Sequence, residues 1–358
     1  MEAVVFAPAA DSTLFAEQAR ELLTVHDVDV MFGCWTSVTR KSVLPVIEEL
    51  NGLLFYPVQY EGEESSKNVF YTGAAPNQQA IPATDYFLDE LGVEKFALLG
   101  TDYVYPRTTN NILESYLKGK GIAEEDIFVN YTPFGHSDWS KIVADVVALG
   151  ADGKKVGVIS TINGDANIGF YKELAAAGIS ADDIPVVAFS VGEEELSGLD
   201  TANLVGHLAA WNYFQSAESE LNDEFVAAWK AKMGDERVTN DPMEAHFIGF
   251  NMWVNAVEAA GTTDVDAVSA AMIGQEYPNL TGGTSVMLPN HHLAKPVLIG
   301  EIQADGQFDI ISQTTEVPGD AWTDFLPESA VLKSDWKDLG CGMYNTETES
   351  CVQIKSNY

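Results

Sequence analysis

The first part of the chain alternates short apolar runs with longer segments in which apolar residues recur at helical spacing. From residue 3 to about 190, this is the pattern of a parallel sheet covered by helices on both faces. The apolar runs predict strands at 3–6, 28–32, 53–55, 96–99, 156–159 and 186–189. The periodic segments predict helices at 13–24, 37–50, 77–91, 107–119, 137–149 and 166–177. We therefore expect an α/β fold with doubly wound parallel sheets.

After residue 200 the pattern changes to longer helices and then to a strand-rich segment. It predicts helices at 218–233, 243–260 and 264–273 and strands within 283–311, where Asp305-Gly306 marks a hairpin turn. A chain of 358 residues suits two lobes with a cleft between them. We expect three crossings, near Tyr103, Asp241 and Lys295. The predicted division is lobe one at 1–103 and 241–295, lobe two at 104–240 and 296–320, and a C-terminal tail at 321–358.

The net charge of the chain limits the classes of molecule that it can bind. There are 54 acidic residues against 19 basic ones, a formal net charge of −35, and this charge repels phosphate backbones and anionic membrane surfaces. We therefore expect no nucleic-acid or lipid partner. The first thirty residues lack the basic start and apolar core of a signal peptide. Of three cysteines, Cys34 stands alone, whereas Cys341 and Cys351 are either a disulfide in an oxidising compartment or two free thiols.

Polar and aromatic side chains follow the carboxyl ends of the predicted strands, which is where ligands lie in an open parallel sheet. The candidate ligand-binding residues are Thr36, Ser37, Tyr56, Tyr103, Asn163, Asp165 and Ser190. Tyrosine offers both a flat face for a planar ligand and a hydroxyl that needs a partner when buried. The alternatives are structural: Ser37, Asp165 and Ser190 also suit helix N-caps, and the tyrosines also suit an interface between lobes.

The ligand is expected to be uncharged. The chain has only four arginines, and none belongs to the forked cluster that holds a carboxylate or a phosphate. Arg40 and Arg107 lie near the proposed cleft in first helical turns, where the helix dipole disfavours a positive charge. We expect each of them to pair with an acidic neighbour.

Enzymatic motifs are missing from the sequence. It contains no GxSxG, GxxxxGK[ST], GxGxxG or HExxH, the local signatures of hydrolase, nucleotide and zinc chemistry. His291-His292 fits a turn that hydrogen-bonds backbone better than a metal site. Glu193, Glu194 and Glu195 either complement a helix dipole or supply a general base or a calcium ligand. We expect a binding protein with no catalytic residue, no metal and no cofactor.

Several segments carry a family resemblance: GCWTSVTRKSVLPV, LLFYPVQYEG, YTGAAPNQQ, TDYVYPRT, NGDAN, AAWNYFQS, VTNDPMEA and HHLAKPVLIGEIQADGQF. In these segments the chain closely resembles the urea-binding proteins of ABC-type urea importers. That family is related to short-chain amide and branched-chain amino acid binding proteins and has the type I periplasmic-binding fold. The resemblance, which runs from about residue 12 to 313, implies a periplasmic or extracytoplasmic protein that binds urea and delivers it to ABC permease subunits in the membrane.

By position, the resemblance implies that Ser37 and Thr36 bond the amide from lobe one, that Tyr56 and Tyr103 flank the ligand, and that the other candidates approach from lobe two. Urea has one carbonyl acceptor and four N–H donors, so it needs donors at one edge and acceptors at the others. We expect Ser37 and helix N-termini to serve its oxygen, and Asp165, Asn163 and tyrosine oxygens to serve its amines.

One departure from the family concerns the N-terminus. Relatives begin with a strand and a helix before the segment equivalent to 3–6, so an N-terminal strand of lobe one, with the signal peptide, is expected to be missing here. The alternative function is a cytosolic amide-sensing regulator of the same fold. A third hypothesis, an amide or urea hydrolase, predicts sustained release of ammonia from urea.

Overall fold

The computed structural model describes residues 1–9, 11–197 and 200–352 of the chain. The helices are α1 (Ser12–Thr24), α2 (Ser37–Glu49), α3 (Ala80–Asp89), α4 (Val104–Gly119), α5 (Ser140–Leu149), α6 (Ala166–Ala176), α7 (Glu193–Leu196), α8 (Glu220–Met233), α9 (Asp241–Ala260) and α10 (Val265–Met272). The strands are β1 (Met31–Phe32), β2 (Leu54–Tyr56), β3 (Val69–Tyr71), β4 (Lys95–Thr101), β5 (Ile127–Thr132), β6 (Val156–Thr161), β7 (Val186–Ala188), β8 (Leu208–Trp211), β9 (Glu276–Pro278), β10 (Thr284–Met287), β11 (Leu293–Lys295), β12 (Leu298–Ile302), β13 (Phe308–Gln313), β14 (Val317–Pro318), β15 (Leu332–Asp335), β16 (Cys341–Asn345) and β17 (Ser350–Cys351).

Lobe one is built on a parallel sheet in the order β1-β2-β3. Side chains alternate across this sheet: Leu54 packs with Val43 on the side of α2, whereas Phe55 packs with Met252 on the side of α9. Burial on both faces explains why these strands are continuous apolar runs. An antiparallel sheet in the order β14-β11-β10-β9 completes the lobe.

Lobe two is built on a sheet in the order β13-β12-β8-β7-β6-β4-β5 within the described residues. The five strands β4 to β8 pair in parallel, and β12 and β13 are added antiparallel at the edge next to β8. The predicted hairpin at Asp305-Gly306 is confirmed, since Gly306 joins β12 to β13 with φ of 78°. The α/β fold with two lobes built on parallel sheets follows from this pairing.

The observed strand pairing differs from the prediction at two of the lobe boundaries. β4, which the sequence assigned to lobe one, lies between β5 and β6 in the sheet of lobe two, so the first crossing falls at 73–79 and not near Tyr103. Every residue of β4 is buried, as a central strand requires. β14 pairs with β11 and therefore belongs to lobe one, although the sequence placed 296–320 in lobe two. The crossing between β11 and β12 lies near Lys295, where the sequence placed it.

The predicted strand at 3–6 is wrong. These residues have no strand partner in the part of the chain that the structure describes, and the side chain of Val5 is 82% exposed. A cavity of about 710 Å³, lined in part by Phe15, Met31 and Phe250, lies beside this segment. An apolar run becomes a strand only where a neighbour supplies ladder hydrogen bonds, and none does so here.

The tail adds a small antiparallel sheet of β15, β16 and β17, which the sequence did not predict. Cys341 and Cys351 form a disulfide across it, which decides between the two alternatives for these cysteines. The tail contacts both lobes: Nε1 of Trp336 donates to Oγ of Ser65, and Oγ of Ser115 donates to the carbonyl of Phe325. Among the described residues, no helix has both the length and the apolar character needed to cross a bilayer.

Candidate functional site

A small pocket of about 80 Å³ lies between the lobes. Trp35 and Gln59 line it from the loops after β1 and β2, Asn163 and Ser190 line it from the loops after β6 and β7, and Asp241 lines it from the first turn of α9. The carboxyl ends of strands in both lobes therefore meet at one space, as a parallel sheet predicts. The described lining residues include no Lys and no Arg.

Three of the predicted site residues form one hydrogen-bonded chain beside this pocket. Tyr103 donates from its hydroxyl group to Oδ1 of Asn163 at 3.0 Å, and Nδ2 of Asn163 donates to Oγ of Ser190 at 3.0 Å. The backbone N–H of Asn163 donates to Oγ1 of Thr101, which fixes the loop. Burial raises the pKa of Tyr103, so its phenol stays protonated and acts as the donor.

Gln59 and Asp241 are two of the polar pocket residues that were not among the predicted site residues. Gln59 stands in an otherwise apolar and aromatic run, and its side chain is buried. Asp241 begins α9, and its Oδ2 accepts from the backbone N–H of Asn212 at 2.9 Å. Gln59 could have been found from the sequence, because it is a polar residue within an apolar and aromatic run. Asp241 could not, because an acidic residue in the first turn of a helix is common without any role in binding.

Ser37 and Tyr56 lie in a buried ionic cluster of lobe one, and neither lines the pocket. Ser37 donates from Oγ to Glu61 and accepts from Nη1 of Arg40 at 3.1 Å. Arg40 also donates to Glu61 at 2.9 Å and to Glu64 at 2.8 Å, and its guanidinium lies 4.7 Å from the centre of the Tyr56 ring. The Ser37 hydroxyl hydrogen is therefore used within the protein.

The charges of this cluster balance locally. Burial alone would raise the pKa of Glu64, but the charges of Arg40 and Lys41 outweigh it and hold that pKa at about 2. Arg107 likewise pairs with Asp102, with 2.6 Å between Nε and Oδ1. The prediction that Arg40 and Arg107 each pair with an acidic neighbour is confirmed.

The remaining two predicted site residues lie apart from the hydrogen-bonded chain. Thr36 precedes α2 with φ of 80° and makes no side-chain cap, while its carbonyl accepts from the N–H of Arg40. Asp165 is exposed, makes no side-chain cap at α6, and lines a separate cavity of about 610 Å³ that reaches Leu204. Their roles in binding stay predictions.

The three consecutive glutamates at 193–195 differ in burial and in hydrogen-bond partners. Glu193 is buried and accepts from the backbone N–H of Gln215, and burial raises its pKa to about 8. Glu195 accepts from the N–H of Gly192 and lines the pocket, and burial raises its pKa as well. Glu194 pairs with Arg237 at the surface.

The histidine doublet forms a turn. Nδ1 of His291 faces the carbonyl of Val69, Nδ1 of His292 faces the carbonyl of Asn290, and Nε2 of His292 faces the hydroxyl of Tyr60. Because a carbonyl only accepts, both Nδ1 atoms carry hydrogen. Burial lowers the pKa of His292 to about 4. The prediction of a turn that hydrogen-bonds backbone is confirmed.

Residues 1–328 match the family described as periplasmic binding protein domain. This chain belongs to that family. Its periplasmic binding protein domain therefore contains both lobes and the pocket between them, and the match ends within the tail.

Solved structures of the same fold confirm the architecture. A solute-binding protein of an ABC transporter from Rhodopseudomonas palustris BisB5, in complex with 3,4-dihydroxybenzoic acid, has a TM-score of 0.74 and 18% identity, covering 90% of this chain and 87% of that one. An amino acid ABC transporter substrate-binding protein from Pseudomonas fluorescens Pf-5 has a TM-score of 0.73 and 17% identity, covering 86% and 83%. A leucine-binding protein from Thermotoga maritima MSB8 has a TM-score of 0.72 and 15% identity, covering 86% and 85%.

One curated relative is an enzyme by name. A segment of 134 residues is 30% identical to limonene hydroxylase from Geobacillus stearothermophilus. The match covers 37% of this chain, and the chain spans about a quarter of the length of that relative, 24%. The matched family and the similar solved structures described above are binding proteins.

Proposed function

We propose that this protein is the extracytoplasmic solute-binding component of an ABC importer and that it binds urea or a similar short-chain amide between its lobes. The fold supports the first part, because its structural neighbours are named as ABC transporter binding proteins. The pocket supports the second part. On this proposal the partners are the ligand and the permease subunits of the membrane complex.

The observation that carries the choice of ligand is the size and lining of the pocket. Sites for drug-sized ligands have about 300–1,000 Å³, whereas this pocket has about 80 Å³. At about 30 Å³ per water molecule, it has room for a molecule of a few non-hydrogen atoms. Leucine and hydroxybenzoates are larger than this.

The charge of the lining also disfavours a carboxylate ligand. Glu195 and Asp241 bring carboxyl groups to the pocket, and no Lys or Arg lines it among the described residues. A carboxylate ligand would lose its water there without gaining a cation. A small molecule rich in N–H groups suits the same side chains.

Isothermal titration calorimetry tests this proposal with urea, thiourea, acetamide and leucine in parallel. We expect urea to bind and leucine to give no heat of binding. Strongest binding to leucine, or binding to none of the four, would reject the proposal. Ammonia release measured on the same samples tests the hydrolase hypothesis, and we expect none above the rate without protein.

Closure of the lobes on the ligand gives a second measurement. Ligand contacts from both lobes favour the closed state by differential affinity. We expect urea, and not leucine, to change the radius of gyration measured by small-angle X-ray scattering. An unchanged radius in saturating urea would contradict binding-linked closure.

A further inference from the structure

Ser190 is left with a hydroxyl hydrogen that it can donate into the pocket. Its Oγ accepts two hydrogen bonds, from Nε2 of Gln59 at 3.1 Å and from Nδ2 of Asn163 at 3.0 Å. Two accepted bonds occupy both lone pairs of a hydroxyl oxygen. Within the described residues Ser190 donates to no acceptor. The Tyr105 hydroxyl is buried next to both Ser190 and Gln59, close enough for these two side chains to offset part of the rise that burial causes in its pKa. It makes no hydrogen bond of good geometry within the described residues, so both groups keep their capacity for a guest.

Gln59 lines the same pocket, and the orientation of its amide is fixed. Its Nε2 donates to the carbonyl of Phe189 at 2.8 Å as well as to Ser190. The Phe189 carbonyl can only accept, so the amide of Gln59 cannot be turned around. Its Oε1 is buried and lacks a hydrogen-bond partner among the described residues, and the residue is 5% exposed.

Asp241 presents a second acceptor. Its Oδ2 is bonded to the N–H of Asn212, while its Oδ1 is buried with no partner in the described part of the chain. The residue is 2% exposed and lines the pocket. A buried acceptor that stays unpaired is costly, so two such oxygens beside one pocket indicate a guest that carries N–H groups.

We propose that Gln59 and Asp241 accept hydrogen bonds from N–H groups of the bound molecule while Ser190 donates to its carbonyl oxygen. This assignment rests on the proposed function and names the residues that select urea among small amides. Urea supplies a carbonyl and an amine on each side. Guanidinium has no acceptor for Ser190, and acetamide has a methyl group in place of one amine.

The test compares affinities for urea and acetamide by calorimetry in the wild type, in Asp241→Asn and in Ser190→Ala. In Asp241→Asn the Asn212 N–H still needs an oxygen, so the new NH₂ takes the place of Oδ1 and opposes an N–H of urea. We expect urea to bind the wild type about 5-fold to 150-fold more tightly than acetamide. In Asp241→Asn this ratio should fall by about tenfold. In Ser190→Ala both ligands should weaken by the same factor.

Asp266→Asn is the matched control. Asp266 is an exposed acid of α10, so its substitution should leave the ratio of urea affinity to acetamide affinity unchanged.

Equal weakening of urea and acetamide in Asp241→Asn would show a merely structural role and overturn the assignment. Equal affinities for urea and acetamide in the wild type would also overturn it, even if no variant folds. Tighter binding of guanidinium than of urea would overturn the role of Ser190. Failure of the wild type to bind urea would instead reject the proposed function.

Discussion

Tyr103 donates a hydrogen bond to Asn163 over 3.0 Å, which joins the start of α4 to the loop after β6. This bond fixes the amide of Asn163 so that its NH₂ group faces Ser190. Tyr103 therefore acts on the pocket through Asn163, which is a positioning role. The relationship gives the first of four predictions.

Tyr103→Phe should weaken urea binding by about 2-fold to 10-fold, because the variant loses one neutral hydrogen bond and frees the Asn163 amide. Calorimetry measures the change. Tyr344→Phe is the control, since Tyr344 lies in β16 of the tail. Unchanged urea affinity in Tyr103→Phe would mean that the amide of Asn163 keeps its orientation without the hydrogen bond from Tyr103.

Arg40→Met should be strongly destabilising. It leaves the buried Glu61 and Glu64 with Lys41 as their remaining cation, two negative charges against one positive. Removal of one partner from a buried ionic cluster costs about 3–5 kcal/mol of unfolding free energy. Thermal unfolding followed by circular dichroism measures it. Arg20→Met is the control: Arg20 pairs with Glu49 at the surface, so we expect little change. A melting temperature equal to that of the wild type in Arg40→Met would contradict the prediction.

Glu193 should make the protein less stable as the pH rises. Its pKa is about 8 in the folded state and about 4.3 when unfolded, so folding favours the neutral acid. Its contribution to stability is full below about pH 4.3 and is lost as the pH rises to about 8, with a slope of at most about 1.4 kcal/mol per pH unit.

Glu193→Gln keeps the acceptor for the Gln215 N–H and cannot ionise. The melting temperature of this variant, relative to the wild type, should therefore rise steadily from about pH 5 to about pH 8. Glu236→Gln, at an exposed glutamate, should show a constant difference over the same range. A constant difference for Glu193→Gln would refute the prediction.

Gly73→Ala should destabilise the first crossing. A Cβ at this position would lie 2.3 Å from the carbonyl carbon and oxygen of Val58, and backbone atoms cannot move aside as a side chain can. We expect the free energy of unfolding to fall by about 1–3 kcal/mol or more, measured by thermal unfolding.

Gly119→Ala is the control, because no atom lies within 4 Å of a Cβ placed there. At the end of α4, alanine should stabilise by up to about 1 kcal/mol. Equal stability of Gly73→Ala and the wild type would contradict this prediction.

The elements were predictable where the pattern was long and unbroken. The helices predicted at 13–24 and 37–50 correspond to α1 and α2 within one residue, because several turns of periodic apolar residues outweigh local exceptions. β3 and β5 were missed, because β3 has only three residues and β5 is a half-buried strand that directly follows the acidic segment Glu124–Asp126. The run at 3–6 was apolar enough for a strand, but a strand also needs a neighbour, which periodicity does not report.

The site was predictable only in part. The rule that ligands lie beyond the carboxyl ends of parallel strands pointed to Asn163 and Ser190, which line the pocket and whose contact with a ligand stays a prediction. The same rule pointed to Ser37, whose hydroxyl is instead held by Glu61 and Arg40. Spacing along the chain says which loop carries a side chain. It does not say which of several nearby partners that side chain contacts.

The sequence by itself determined the α/β alternation, the absence of an arginine cluster for an anion and the loops that carry polar groups, because these depend on residue type and local period. Only the tertiary structure decided that β4 belongs to lobe two and that the Cys341–Cys351 disulfide forms. It also decided that Gln59 and Asp241 meet at one pocket. The physical reason is that sheet pairing and hydrogen-bond satisfaction are settled between segments far apart in the chain, where each group takes the partner that the packed fold places within reach.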